Sequence, residues 1–161
     1  MAGLGRDVML QKPGSGRTIG VVGDYYRFLT TGADTAGRYA LFEAIVPPGG
    51  GPPPHLHRRE EEGFLVLEGV VTFYKGNEPI VAGPGTFINM PIGQLHRFKN
   101  ETQLPVRMLI LVAPVGLEEM FFEVGQVIPE NSTQAPAPTA ADIEKLLAAA
   151  PRYGVEIMAP D

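Results

Sequence analysis

The sequence contains no cysteine, and that absence removes several chemistries at once. Disulfide staples, thiolate metal sites and cysteine nucleophiles are all excluded. An excess of basic charge is lacking too: the formal net charge is -5, the signs are interspersed, and no basic stripe is visible. Nucleic acid and anionic membrane surfaces are therefore not expected as partners. No apolar run is long enough to cross a bilayer. The opening MAGLGRDVML carries Arg6 and Asp7 and no apolar core, so no signal peptide is expected. Together these features predict a cytoplasmic protein that does not engage a membrane. Histidine is also scarce, with three in the chain: His55, His57 and His96.

What is present points to a β-rich domain. A length of 161 residues suits one domain, and 44% apolar residues can furnish a core. Glycine (20) and proline (16) are abundant and punctuate short apolar runs, the pattern of an all-β sandwich or barrel. Strands are expected at Ile19–Val22, Tyr25–Thr30, Arg38–Val46, Phe64–Leu67, Val70–Tyr74, Pro79–Val81, Thr86–Met90, His96–Lys99 and Val106–Val112. The stretch PPGGGPPP (47–54) lacks donors and excludes helix or inner strand. After the strands the period changes. Leu117, Met120, Phe121 and Val124 form an i, i+3, i+4, i+7 stripe, which predicts an amphipathic helix. A polar, proline-rich linker covers 129–138. Thr139 and Asp142 then resemble a capping box that opens a second helix, which Pro151 ends. The expected organisation is an N-terminal arm (1–17), one barrel (18–115) and a C-terminal helical extension packed on it (116–161).

The histidines are arranged suggestively. His55 and His57 are spaced i, i+2, so on a strand both imidazoles share one face. Glu62 opens the apolar run EGFLVLEG. If it points inward its charge needs a partner, because an unpaired buried carboxylate is very costly. A cation held by the two imidazoles would supply one. His96 lies on a later strand, after the turn at 91–93. Taken singly, each residue has a plainer reading. His96 alone is a half-buried structural histidine, the His-x-His pair sits on an exposed loop, and Glu60–Glu62 is a solvated turn.

Two longer patterns bear on that choice. GGGPPPHLHRREEEGFLVLEG (49–69) is similar to the first cupin motif, G-x5-H-x-H-x3/4-E-x6-G, at Gly49, His55, His57, Glu62 and Gly69. Glu61 also fits the spacing from His57, but only Glu62 has the motif spacing to Gly69. GTFINMPIGQLHRFKN (85–100) matches the second motif, G-x5-P-x-G-x2-H-x3-N, at Gly85, Pro91, Gly93, His96 and Asn100. The resemblance implies an all-β cupin fold, a double-stranded β-helix or jelly-roll barrel with short C-terminal helices. It also implies a single divalent transition metal (Fe, Mn, Ni, Co, Cu or Zn) held by His55, His57, Glu62 and His96.

The phrases FLTTGADT, ALFEAIVPPGGGPPPH and GLEEMFFEVG resemble the quercetin dioxygenase-like branch of small cupins. That likeness implies a metal-dependent dioxygenase acting on a small enolic or phenolic, flavonol-like substrate, with Glu62 both ligand and catalytic base. Cupins also include redox-neutral isomerases and lyases on sugars or keto acids, and non-catalytic binding modules; fold alone does not choose between them. Phe64, Met90, Phe121 and Phe122 are expected as substrate-binding residues, the first two lining the interior and the last two walling the pocket. Asn100 is expected to tie down its turn. Exposed sheet edges and the N-terminal arm predict a homodimer.

Overall fold

The computed structural model describes residues 5–159, so the first four residues of the expected N-terminal arm lie outside the described residues. Strands β1 (Thr18–Val21) and β2 (Asp24–Thr30) form a hairpin. Its two-residue turn, Val22 and Gly23, has φ of 50° and 89°, the conformation that matches the twist of paired strands. A short helix α1 (Gly32–Thr35) follows, capped by Thr31 and Asp34. Next come β3 (Ala40–Val46), β4 (His55–His57), β5 (Glu61–Glu68), β6 (Val71–Lys75), β7 (Glu78–Ala82), β8 (Phe87–Met90), β9 (His96–Lys99) and β10 (Val106–Ala113).

Burial alternates residue by residue along β3 and most of β10, the period-two signature of strands with one face on the core. These strands close into two antiparallel sheets, the layered arrangement of a jelly roll. One has the order β1-β2-β3-β10-β5-β8. The other runs β4-β9-β6-β7, with a fifth strand on its β4 side. Between the sheets lie Phe42, Phe64, Val66, Phe73, Met108 and Ile110, all essentially without solvent contact. Each such side chain stabilises the fold by roughly 1.5–3 kcal/mol relative to exposure. Gly69 turns the chain between β5 and β6 at φ 81°, where a Cβ would lie 2.8 Å from the Pro105 carbonyl oxygen. Glycine is required there on both counts. Asn100 fastens its turn through donations to Val46 O (3.0 Å) and Leu104 O (2.7 Å).

Helix α2 (Leu117–Val124) buries Leu117, Met120, Phe121 and Val124, the expected stripe. Its first turn is anchored by Glu118, which accepts from Gly116 N (2.8 Å) and Gly32 N (3.1 Å). Helix α3 (Ala140–Ala149) starts at Thr139, whose hydroxyl accepts from Asp142 N while Asp142 accepts from Thr139 N. A 3-10 turn (Ala150–Tyr153) ends it at Pro151.

The chain then returns to the barrel, which the expectation of a purely helical extension did not include. Val155–Ile157 forms β11 and completes the second sheet, antiparallel to β4, with Val155 opposite His57 and Ile157 opposite His55. Three residues are too short for a period to show. Only the open edge of β4, created by distant parts of the chain, makes them a strand.

Candidate metal centre

Each histidine is aimed by its strand. His55 and His57 flank Leu56 on β4 and both turn inward, leaving 8% and 3% exposed. Residue 55 pairs directly across to His96 on β9. The second sheet thus supplies all three imidazoles, from two adjacent strands. Glu62 comes from the opposite sheet, on β5, level with Met90 and Val112. It is 5% exposed and shares its inward face with Phe64 and Val66. The barrel interior therefore brings together all four residues, with one ligating atom from each lying within 4.8 Å of the others.

The hydrogen bonds around the rings set what those atoms can do. His55 Nδ1 lies 2.8 Å from Pro53 O, and His96 Nδ1 lies 2.8 Å from Gln94 O. A carbonyl only accepts, so both Nδ1 atoms carry the proton, and a neutral ring then has a bare lone pair on Nε2. Glu62 Oε2 stands 3.0 Å from His57 Nε2 and 3.0 Å from His96 Nε2. Lone pairs and a carboxylate crowded this closely in a buried space repel one another unless protons or a cation sit among them. The donor set, three imidazole nitrogens and one carboxylate oxygen, fits a first-row divalent metal. The cluster could hold such an ion.

The electrostatics are those of a tightly coupled buried group. Burial, followed by the neighbouring rings of His96 and His57, pushes His55 down to about 4. Burial acts in the same sense on His57, but the charge and hydrogen bond of Glu62 outweigh it and raise His57. Burial would raise Glu62, yet the two histidines beside it carry it well below the ordinary carboxylate range.

A cavity of about 50 Å³ opens onto this cluster. The sequence-predicted residues divide around it. Phe121 lines the wall. Phe64 is buried beneath the cluster, its ring centroid 6.3 Å from that of His96, and Met90 is buried beside Glu62. Phe122 lies elsewhere, packed on Phe28 (4.6 Å between centroids) with the Arg17 guanidinium 3.9 Å over its ring. One residue along a helix is a turn of about 100°, which is why Phe121 and Phe122 face different surroundings.

Other wall residues were not anticipated: Asp24 and Tyr26 from β2, Leu146 from α3, and Val155 and Ile157 from β11. Glu60 was read as part of a solvated turn, but it is 1% exposed. Its Oε2 lies 4.0 Å from His57 Nδ1, and neither atom has a hydrogen-bond partner. His57 is thus the one cluster histidine whose outer nitrogen is not held by a backbone carbonyl, and Glu60 is the acceptor that faces it.

Residues 42–112 match the family model described as Cupin domain. These residues form a cupin domain. Among solved structures, the chain is similar to the polyketide cyclase RemF from Streptomyces resistomycificus. The identity is 25%, the match covers 66% of this chain and 80% of that one, and the TM-score is 0.59. A predicted oxalate decarboxylase from Thermotoga maritima has the same fold at 16% identity, covering 67% of this chain and 100% of that one, TM-score 0.59. A sugar phosphate isomerase from Silicibacter pomeroyi matches at 21% identity over 58% of this chain and 61% of that one, TM-score 0.52. The search of curated proteins found no match.

Proposed function

We propose that this cupin is a metal-dependent dioxygenase acting on a small enolic or phenolic substrate. The observation that carries the reading is the cavity wall. Apart from Asp24 and the cluster itself, its lining is apolar or aromatic, including Val21, Tyr26, Leu117, Met120, Phe121 and Leu146, with no lysine or arginine among the lining residues. A sugar phosphate needs cationic partners for its charge, and this wall offers none. An enol or phenol needs a polar anchor at one end and an apolar wall for its carbon skeleton. The enclosed space beside the cluster, about 50 Å³, opens outward, so a one-ring substrate suits it better than a three-ring flavonol.

His55, His57, Glu62 and His96 would hold the ion. When bound, it would supply Lewis acidity toward substrate oxygens and, for a redox-active metal, a route for electrons to dioxygen. Glu62, a carboxylate lining the cavity, would accept a proton from a substrate hydroxyl that enters beside it. Leu117, Met120 and Phe121 keep water from that proton transfer and fix the plane of the substrate. Phe64 and Met90 act as a packed floor that holds Glu62 in place.

Redox-neutral ring closure on a substrate of the same class is the second reading, favoured by the 25% match to a polyketide cyclase. Oxygen uptake separates the two. Protein loaded with Fe(II), Mn(II), Ni(II), Co(II) or Cu(II) is given a panel of catechols, hydroxyketones and flavonols, in wild type and Glu62→Gln. The dioxygenase reading expects uptake with at least one metal. It also expects a loss of about a hundredfold or more in Glu62→Gln with metal retained. No uptake with any metal, together with conversion of substrate, moves the protein to the redox-neutral reading. A two-fold homodimer is part of the proposal, on the strength of the exposed arm residues Val8 and Leu10 and the open sheet edges. Light scattering that gives a monomer across micromolar concentrations contradicts it.

A further inference from the structure

Asp24 is a buried carboxyl group without a structural occupation. It is 2% exposed, opens β2 immediately after the hairpin turn, and lines the cavity. An aspartate at such a turn ordinarily accepts from the turn's backbone N–H groups. Asp24 accepts from none of them: its Oδ1 has no hydrogen-bond partner, and its side chain enters no salt bridge among the described residues. Oδ1 lies beside Gly50, where an added Cβ would come within 2.9 Å of it. A carboxyl group in this condition costs stability. Burial accordingly raises Asp24 well above its ordinary value.

Tyr26 stands beside it. Two residues along the same strand, it faces the same side and lines the same cavity. Its ring is clamped between Phe42 (centroids 4.8 Å apart) and Phe121 (5.3 Å). Its hydroxyl makes no hydrogen bond among the described residues, although the residue is only 5% exposed. The negative charges of both Asp24 and Glu62 reach its phenol. One wall of an otherwise apolar cavity therefore presents an idle acceptor and an idle donor side by side, separate from the histidine cluster.

A hydroxyl group is the ligand function that satisfies both, donating to a carboxylate while accepting from a phenol. We propose that Asp24 and Tyr26 form a specificity subsite that binds a hydroxyl of the substrate remote from its metal-binding oxygens. This rests on the reading of the cavity as an enol- or phenol-binding site, and it narrows that class to compounds oxygenated at both ends. A site built to pair a hydroxyl discriminates against the analogue that lacks it, because its own polar groups are then left stranded.

Kojic acid and allomaltol are suitable probes. They share one chelating hydroxyketone and differ only by a hydroxyl at the far side of the ring. Titration calorimetry on the full chain loaded with zinc, which is redox-inert, reads binding without turnover. Wild type is expected to bind kojic acid roughly tenfold more tightly than allomaltol. Asp24→Leu and Tyr26→Phe should each bring that ratio close to one, with bound zinc unchanged. Tyr26→Phe removes a single oxygen, so it carries the test should Asp24→Leu not fold. A ratio that persists in Tyr26→Phe, or is absent in wild type while both compounds bind, overturns the subsite and leaves the enol-binding reading standing. Failure of both compounds to bind zinc-loaded wild type overturns the enol-binding reading itself, and the subsite with it.

Discussion

The metal cluster and the cavity wall that surrounds it are assembled in opposite ways. The cluster draws its four residues from two stretches of chain, 55–62 and the strand at His96, on neighbouring strands or directly across the barrel. The wall is gathered from both ends of the sequence: the first hairpin gives Asp24 and Tyr26, and the C-terminal segment gives Phe121, Leu146, Val155 and Ile157. The difference teaches a division of labour. On the proposed reading, the strands that carry the four residues would hold the ion, and the flanking segments would decide what reaches it.

Breaking the cluster should have the largest effect. His57→Ala is expected to weaken zinc or manganese binding by at least about a hundredfold, since removing even an outer-shell partner of a metal ligand costs roughly 10–100-fold. Competition against a chromogenic chelator measures this directly. The variant should also lose the metal-dependent gain in melting temperature, worth about 2.7 kcal/mol when free metal is a hundred times Kd. Glu60→Gln comes next. Its Oε2 faces His57 Nδ1 at 4.0 Å, so the substitution should lower metal affinity by roughly tenfold by removing the carboxylate that faces the ring. An unchanged affinity would show that His57 needs no outer partner.

Disturbing the wall should separate the two regions most sharply. Leu146→Ala enlarges the cavity from a helix outside the barrel. It should change KM for a phenolic substrate by a few-fold and leave metal content untouched, at a cost in stability of about 2–3 kcal/mol. Loss of metal in that variant would contradict the division. The smallest effect concerns pH. Glu62 raises His57 above its ordinary value, whereas His55 is pushed down to about 4. His57 must therefore shed a proton for metal to bind, while His55 is already neutral. Metal affinity should fall as the pH drops through the raised value of His57. Isothermal titration in two buffers of different ionisation enthalpy should read about one proton released.

The cluster was legible in the sequence through the resemblance of 49–69 and 85–100 to two cupin motifs, with spacing aiming only part of it. Period-two alternation puts His55 and His57 on one face, and Glu62 heads the run whose next inward residues are Phe64 and Val66. The jelly-roll strands and the α2 stripe were legible because each carries its own period. The wall was not. Val155–Ile157 becomes a strand only because β4 offers it an open edge, and no local pattern reports an edge made by distant residues. Asp24 looked like a turn residue next to Gly23, and Glu60 looked like one of three solvated glutamates. In both cases burial, a property of the whole fold, changed the meaning of the residue. Phe122 was misplaced for a simpler reason: adjacent aromatic residues on a helix cannot both face one cavity.

The central claim is that His55, His57, Glu62 and His96 jointly hold one divalent ion. Mass spectrometry of metal content after anaerobic reconstitution and exhaustive dialysis tests it most directly, comparing wild type with the double variant His55→Ala, His57→Ala. About one ion per chain in wild type and close to none in the double variant is the predicted result. A wild type that retains no metal, or a double variant that keeps as much as wild type, would contradict it.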